Sequence, residues 1–224
     1  MVKAWNAIFL FSAAIIFIGI AFWTVGAPDI VAKLEGSQAR DPAALAVSPD
    51  RENTATFGTG CFWCTEAILQ RIEGVSEVTP GYMGGSTADA FYRRVVAGQT
   101  DHAEVVQFTY DPEVIRYEEL LDLFWQMHDP TQLNRQGNDV GRHYRSVLFV
   151  HSDEQKEKAK ASLQEADASG RHDRPIVTAI EPAMNFYPAE EEHLNYYNRN
   201  PDARYCRFVI EPKLRELGLP LRER

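Results

Sequence analysis

The sequence predicts an α+β fold. Segments with the alternating polarity of strands are interleaved with segments of helical spacing. Several of those strands also qualify as antiparallel neighbours, which a purely parallel α/β sheet would lack. The chain has 224 residues, 45% of them hydrophobic, enough for one ordinary domain with an extension.

Residues 4–28 carry no ionisable side chain and are dominated by Ile, Phe, Ala, Leu and Trp. As a helix rising ~1.5 Å per residue they would reach roughly 37 Å, enough to cross a hydrocarbon core ~30 Å thick. Trp5 and Trp23 suit interfacial anchoring at its ends. Residues 1–28 are therefore expected to form one hydrophobic helix that anchors the protein in a membrane. The alternative is a cleaved signal sequence, but such apolar regions usually run only about 7 to 15 residues. Pro28, directly after Val25-Gly26-Ala27, also suits cleavage poorly. Lys3 and the amino terminus are the early positive charges, so the positive-inside rule puts the rest outside the cytoplasm, on the periplasmic side. Cleavage would leave the same domain periplasmic or secreted.

Residues 29–53 mix Ala, Pro and charge without periodicity and read as a linker, leaving 54–224 as the folded unit. "TATFG" (54–58) reads as a strand running into Gly60, and "CFWCTEAILQRIEG" (61–74) as a helix that stops at Gly74. "HAEVVQFTYDP" (102–112) is the clearest strand, ended by Asp111-Pro112. In "YEELLDLFWQMH" (117–128), Leu120, Leu121, Phe124, Trp125 and Met127 are spaced as a buried helical face. "DPTQLNRQGNDVGRHYR" (129–145) is long, polar and aperiodic between strong elements, which marks an ordered functional loop. "YRSVLFVHS" (144–152) is a strand, followed by a charged, solvated helix that starts with Ser152 and Gln155 in capping-box spacing. "PIVTAIEP" (175–182) completes the strands, and "AEEEHLNYYNRN" (189–200) reads as a short polar helix.

The net charge of -9 comes from 23 basic and 32 acidic residues, and no Lys/Arg cluster interrupts it. Nucleic acid is excluded as a partner on that footing.

Cys61 follows Gly60 at the start of the expected helix, where unpaired N–H groups and the helix dipole favour an anion. A thiolate there would have a lowered pKa and raised reactivity. An isolated cysteine is most often a small buried hydrophobe, but Gly60 before it and Phe62-Trp63 after it tip the reading to a nucleophile. Gly60, lacking a side chain, would leave room for a substrate to reach the sulfur. Glu104 shares a strand face with Val106, Phe108 and Tyr110. A carboxyl on so apolar a face holds its proton to higher pH and qualifies as a general acid, unless the strand's beginning is exposed. Tyr82, Asp139 and Tyr144 stand in polar or turn-like surroundings where a hydroxyl could bond a substrate oxygen. His102, His128, His143 and His193 are, with the three cysteines, the residue types that could ligate a metal. No second C-x-x-C or close His pair accompanies Cys61 and Cys64, so no metal site is expected.

These residues resemble the MsrA-type peptide methionine sulfoxide reductases. The likeness runs through "GCFWCTE" (60–66), "GYMGG" (81–85), "HAEVV" (102–106), "HDPTQLNRQGNDVG" (128–141), "YRS" (144–146) and "NPDARYC" (200–206). It implies a two-layer α+β sandwich around a mixed sheet with a ferredoxin-like core, and a catalytic domain over 54–224. It implies Cys61 as nucleophile, Phe62 and Trp63 as the pocket for the substrate's methyl group, and Glu104 as proton donor. Tyr82 and Tyr144 would bind the sulfoxide oxygen, and Asp139 would help position the site. The substrates would be methionine S-sulfoxide in oxidised proteins or free, with no metal or organic cofactor and a thioredoxin-like reductant.

Cys61 would become a sulfenic acid that a second thiol condenses with. Cys206 matches a resolving cysteine of many members and is preferred for the first disulfide. Cys64 serves in members with a C-x-x-C, although an early-helix pair was expected to distort on closing. Two departures stand out: His143 replaces the usual glutamine, and "STADAFYRR" (86–94) replaces a run resembling "NPTYE". The rival readings are a thiol-disulfide oxidoreductase built on Cys61 and Cys64, and an anchored binding module without catalysis.

Overall fold

A computed structural model of the protein describes residues 53–221. The expected anchor, and the expected linker apart from Asn53, lie outside them. Among the described residues no helix is long and apolar enough to cross a membrane.

Strand β1 (Thr54–Thr59) leads into helix α1 (Phe62–Leu69), and β2 (Val75–Met83) follows. A short helix α2 (Tyr92–Val96) precedes β3 (Ala103–Tyr110) and α3 (Tyr117–Met127). The polar loop contains a small hairpin, β4 (Arg135–Gln136) and β5 (Asp139–Val140), before β6 (Ser146–Val150) and α4 (Asp153–Ala168). Beyond these come β7 (Ala179–Pro182) and β8 (Tyr187–Pro188). The six-stranded sheet runs β7-β6-β1-β3-β2-β8, with β6 and β7 parallel and every other pair antiparallel. It is the mixed sheet of a two-layer α+β fold.

Period-two alternation sorts the sheet's two faces. Ala55, Phe57, Val106, Phe108, Leu148 and Val150 pack against the helices, while Ala103, Val105, Val147 and Phe149 form a smaller cluster with Met83 and Phe186 behind. Phe57 is the hub of the main core, with ring centroids 5.1 Å from Phe108 and 5.2 Å from Phe124. Burying each such side chain stabilises the fold by ~1.5–3 kcal/mol. Glu104 is on the helix-covered face, as the alternation requires, and it is 1% exposed.

The polar loop is ordered by its own side chains. The Asp129 carboxylate accepts from the Thr131 amide and hydroxyl, from Gln132 and from Arg174, and hydrogen bonds from Thr131 and Gln132 hold its pKa down near 2 against the opposing effect of burial. His128 donates from Nδ1 to the Phe124 carbonyl and accepts the Ser146 hydroxyl at Nε2, and burial lowers its pKa to about 4 against the Phe124 bond.

Three expectations change. "GYMGG" is the end of β2 rather than a turn, the chain turning only at Gly84 (φ 95°). The strand over 175–182 shortens to Ala179–Pro182 because the Val177 amide bonds outward to the Pro130 carbonyl. The polar helix over 189–200 breaks into a single 3-10 turn (Glu191–His193) and a one-turn helix α5 (Tyr196–Arg199), with Asn195 at φ 53° between them. Past α5, a π-helix (Cys206–Ile210) runs into α6 (Glu211–Glu216).

Candidate active site

Cys61 is the N-cap of α1, with extended backbone (φ -62°, ψ 124°) and 7% exposure. The first helical amide, that of Phe62, donates to Glu104 Oε2 at 3.2 Å. The N–H expected to favour a thiolate therefore serves the acid instead. The Cys61 thiol is pushed well up, first by burial, then by the charges of Glu104 and Cys64, against hydrogen bonds from Tyr205 and the Trp63 backbone. Burial also lifts Glu104 from the usual 4.5 to about 8, a rise the Phe62 amide opposes and the Asp139 charge assists. Near neutrality the site thus holds a neutral thiol beside a neutral acid.

Gly60 (φ 101°) does not leave open space. A Cβ there would lie 2.6 Å from Gln136 Cβ, so the glycine instead lets the β4–β5 hairpin close on the turn before Cys61. Gln136 is fixed there, accepting the Asp129 amide and donating to the Asp129 carbonyl. The hairpin brings Asp139 to the site, where Oδ2 accepts from the Tyr205 hydroxyl at 2.6 Å. That hydroxyl in turn accepts the Cys64 thiol at 3.8 Å. Tyr144 stands near Glu104, Cys61 and Asp139, whose charges add to burial in raising its pKa.

Tyr82 is placed differently from its expected role. It lies opposite Glu104 across the β2–β3 ladder, but it is fully buried and its hydroxyl donates to Glu190 Oε2 at 2.8 Å. The hydroxyl is thus committed to that carboxylate. Tyr92 stands by Glu104 and Cys61. It is partly buried, its amide donates to Glu190 Oε1, and burial followed by the charges of Glu104 and Cys61 push its hydroxyl up to about 12. It lies in the "STADAFYRR" segment, where no period or turn signal marks its tyrosine out.

Phe62 is 1% exposed and Trp63 is partly exposed. The Trp63 ring is stacked on Tyr196 at 3.7 Å and 7°, with His193 5.6 Å away and Tyr205 edge-on at 5.6 Å. His193, Tyr196 and Tyr205 surround the Trp63 ring, a grouping that neither period nor spacing reveals. The remaining histidines do not converge: His102 accepts the Gly85 amide at Nδ1 and bonds the Ser86 carbonyl through Nε2, holding the turn after β2, and His143 packs on Tyr144 at 4.0 Å.

The three cysteines stand as thiols. Cys64, partly buried, is pushed up to about 12, first by burial, with the Cys206 charge among its neighbours. Cys206 is fully buried at the start of the π-helix. A cavity of about 350 Å³ opens beside Cys61 and Cys64, bounded by Gln136, Asp139, Tyr205 and Lys213 among others.

A buried cysteine facing a protonated carboxyl, walled by aromatics and backed by further thiols, defines a thiol-dependent oxidoreductase. The chain belongs to the MsrA-type peptide methionine sulfoxide reductases: the peptide methionine sulfoxide reductase family pattern matches residues 53–219. A Natronomonas pharaonis protein named peptide methionine sulfoxide reductase MsrA is 53% identical over 161 residues, 72% of this chain and 90% of that protein. Mxr1 from Saccharomyces cerevisiae in reduced form superposes with a TM-score of 0.64 at 38% identity, covering 79% of this chain and 95% of that one. Methionine sulfoxide reductase A of Corynebacterium diphtheriae gives 0.58 at 32% identity, covering 72% and 82%.

Proposed function

We propose that this enzyme reduces methionine S-sulfoxide, in oxidised proteins and free, to methionine. The observation that carries the reading is Glu104, a buried carboxyl with its pKa near 8, tied by the Phe62 amide to the helix start that bears Cys61. An oxide is a poor leaving group unless it is protonated, so a thiol can take the oxygen from a sulfoxide only beside an acid that is neutral at working pH.

Cys61 Sγ attacks the sulfoxide sulfur while Glu104 gives its proton to the oxygen, and the thiol's own proton returns to Glu104. The oxygen passes to Cys61 as a sulfenic acid and methionine leaves. Phe62 and Trp63 hold the substrate methyl, Tyr92 and Tyr144 bond the oxygen, and Asp139 orders the site through Tyr205. A second thiol condenses with the sulfenic acid, releasing water and forming a disulfide, which a thioredoxin-like dithiol reduces by exchange.

Cys64 is the better first resolving thiol. Cys61 caps the helix with extended backbone, so its side chain is free of the helical direction that would strain the bridge. Cys206, whose charge acts on Cys64, then takes over the disulfide. The 25-residue apolar stretch at 4–28 supports a membrane anchor that holds this domain outside the cytoplasm.

The decisive experiment is an epimer-resolved sulfoxide reduction assay on wild type and on serine variants of Cys61, Cys64 and Cys206. Reduction of the S epimer that disappears in Cys61→Ser is expected. Reduction of insulin disulfides with the sulfoxide untouched would replace this reading with a thiol-disulfide oxidoreductase. For the anchor, an impermeant protease is expected to reach the domain in intact cells stripped of any outer envelope, and protection would overturn the topology.

A further inference from the structure

We infer that Glu66 is a positioning residue for the substrate pocket, its buried carboxyl group holding the Asn195–Tyr196 turn so that Tyr196 fixes the plane of the Trp63 indole. This rests on the proposed role of Trp63 in binding the substrate methyl.

Glu66 lies on α1 one turn beyond Trp63 and is 2% exposed. A carboxyl so buried must be satisfied within the fold, and its partners are two backbone amides far along the chain. Asn195 N–H donates to Oε1 at 2.6 Å and Tyr196 N–H to Oε2 at 3.2 Å. Both amides can address one carboxyl group because Asn195 adopts φ 53°, a left-handed conformation that asparagine tolerates better than most residues. That conformation is what breaks the expected polar helix, and it delivers the Tyr196 ring onto Trp63 at 3.7 Å and 7°.

Among the described residues, no polar group bonds the indole directly. Among the described residues, Trp63 Nε1 is buried without a hydrogen-bond partner, as are both ring nitrogens of His193. The indole plane is therefore set by its stacked rings, and the ring nearest to it is set by Glu66. The other ties from this segment to α1's end are weaker. Asn198 donates to Gln70 at 3.4 Å and accepts from Arg71 at 3.2 Å, both at exposed positions where such bonds contribute little.

The test uses the full chain, labelled with 5-fluorotryptophan. Four tryptophans give separate fluorine resonances, and the Trp63 line is the one missing in Trp63→Phe. In Glu66→Ala that line should shift while the Trp125 line stays, and KM for methionine S-sulfoxide should rise roughly tenfold with kcat nearly unchanged. Glu66→Gln, which keeps the volume and one acceptor, should lie between wild type and Glu66→Ala and covers the case in which the alanine variant does not fold. Tyr196→Leu should reproduce the KM defect, and Glu66→Gln combined with it should be no worse than Tyr196→Leu alone.

An unmoved Trp63 line, an unchanged KM, or effects that multiply in the double variant would each overturn the inference. A wild-type enzyme inactive on sulfoxides would instead sink the functional reading, and the fluorine line would still report on the latch.

Discussion

The Phe62 amide donates to Glu104 Oε2 at 3.2 Å, joining the helix start that carries Cys61 to the strand that carries the acid. Replacing the acid should separate the two roles. Glu104→Gln is expected to slow single-turnover sulfoxide reduction by on the order of 100-fold. Because the Glu104 charge helps raise the Cys61 thiol, the same variant should alkylate faster at Cys61 above pH 8. Unchanged single-turnover rates would show that the acid lies elsewhere.

Tyr82 and Tyr92 share the Glu190 carboxylate but not its consequences. Tyr92→Phe removes a hydroxyl near Glu104 and Cys61 and should lower kcat/KM by roughly tenfold or more with stability nearly unchanged. Tyr82→Phe removes a buried bond to a charged group and should cost about 1.5–3 kcal/mol of stability, with kcat within a few-fold of wild type. Paired kinetics and urea melts decide it, and the opposite pattern would restore Tyr82 to the chemistry.

One turnover without reductant should trap the first disulfide. Peptide mapping at short times is expected to find Cys61 linked to Cys64, and at longer times Cys64 linked to Cys206. A direct Cys61–Cys206 bond in the earliest sample would favour the order that the sequence suggested.

Local periodicity made the frame readable. The alternation in β3 put Glu104 on the apolar face, and the spacing of Leu120, Leu121 and Phe124 gave α3 its buried side. Ser152 accepts the Gln155 amide at 3.1 Å, as that spacing implied. What escaped depends on distant partners. The Tyr82 hydroxyl meets Glu190, 108 residues away, and the polar helix breaks because Asn195 serves Glu66, 129 residues away. Period and spacing carry no trace of such contacts. The same holds for Cys61, whose thiol rises because the fold buries it and spends the neighbouring amide on Glu104.

Gly60→Ala should damage the site from outside it. An alanine at φ 101° is strained, by about 1–3 kcal/mol. Its methyl would also press on Gln136 Cβ at 2.6 Å and push away the hairpin that carries Asp139. A lower Tm and a loss of kcat/KM are expected together. Wild-type values of both would mean that the hairpin yields without cost.

Glu104 also makes stability depend on pH. Its pKa is about 8 in the fold against an ordinary 4.5, so the folded state holds a proton that the unfolded chain releases between those values. Stability from this group is full below pH 4.5 and is lost as pH rises through about 8, after which the loss is constant. With a carboxyl only 1% exposed, the loss amounts to roughly 3–5 kcal/mol at most. Glu66, raised to about 7 chiefly by burial, adds a loss of the same sign in wild type and in Glu104→Gln alike. Glu104→Gln has no proton to lose at that position. Wild type and variant should therefore melt alike in urea at pH 4.5, with the variant pulling ahead through pH 8. Sulfoxide reduction by wild type should decline over the upper part of the same range as the acid ionises. A stability gap that does not change with pH would show that Glu104 is already ionised in the fold, and the proton donor would then have to be sought among Tyr92 and Tyr144.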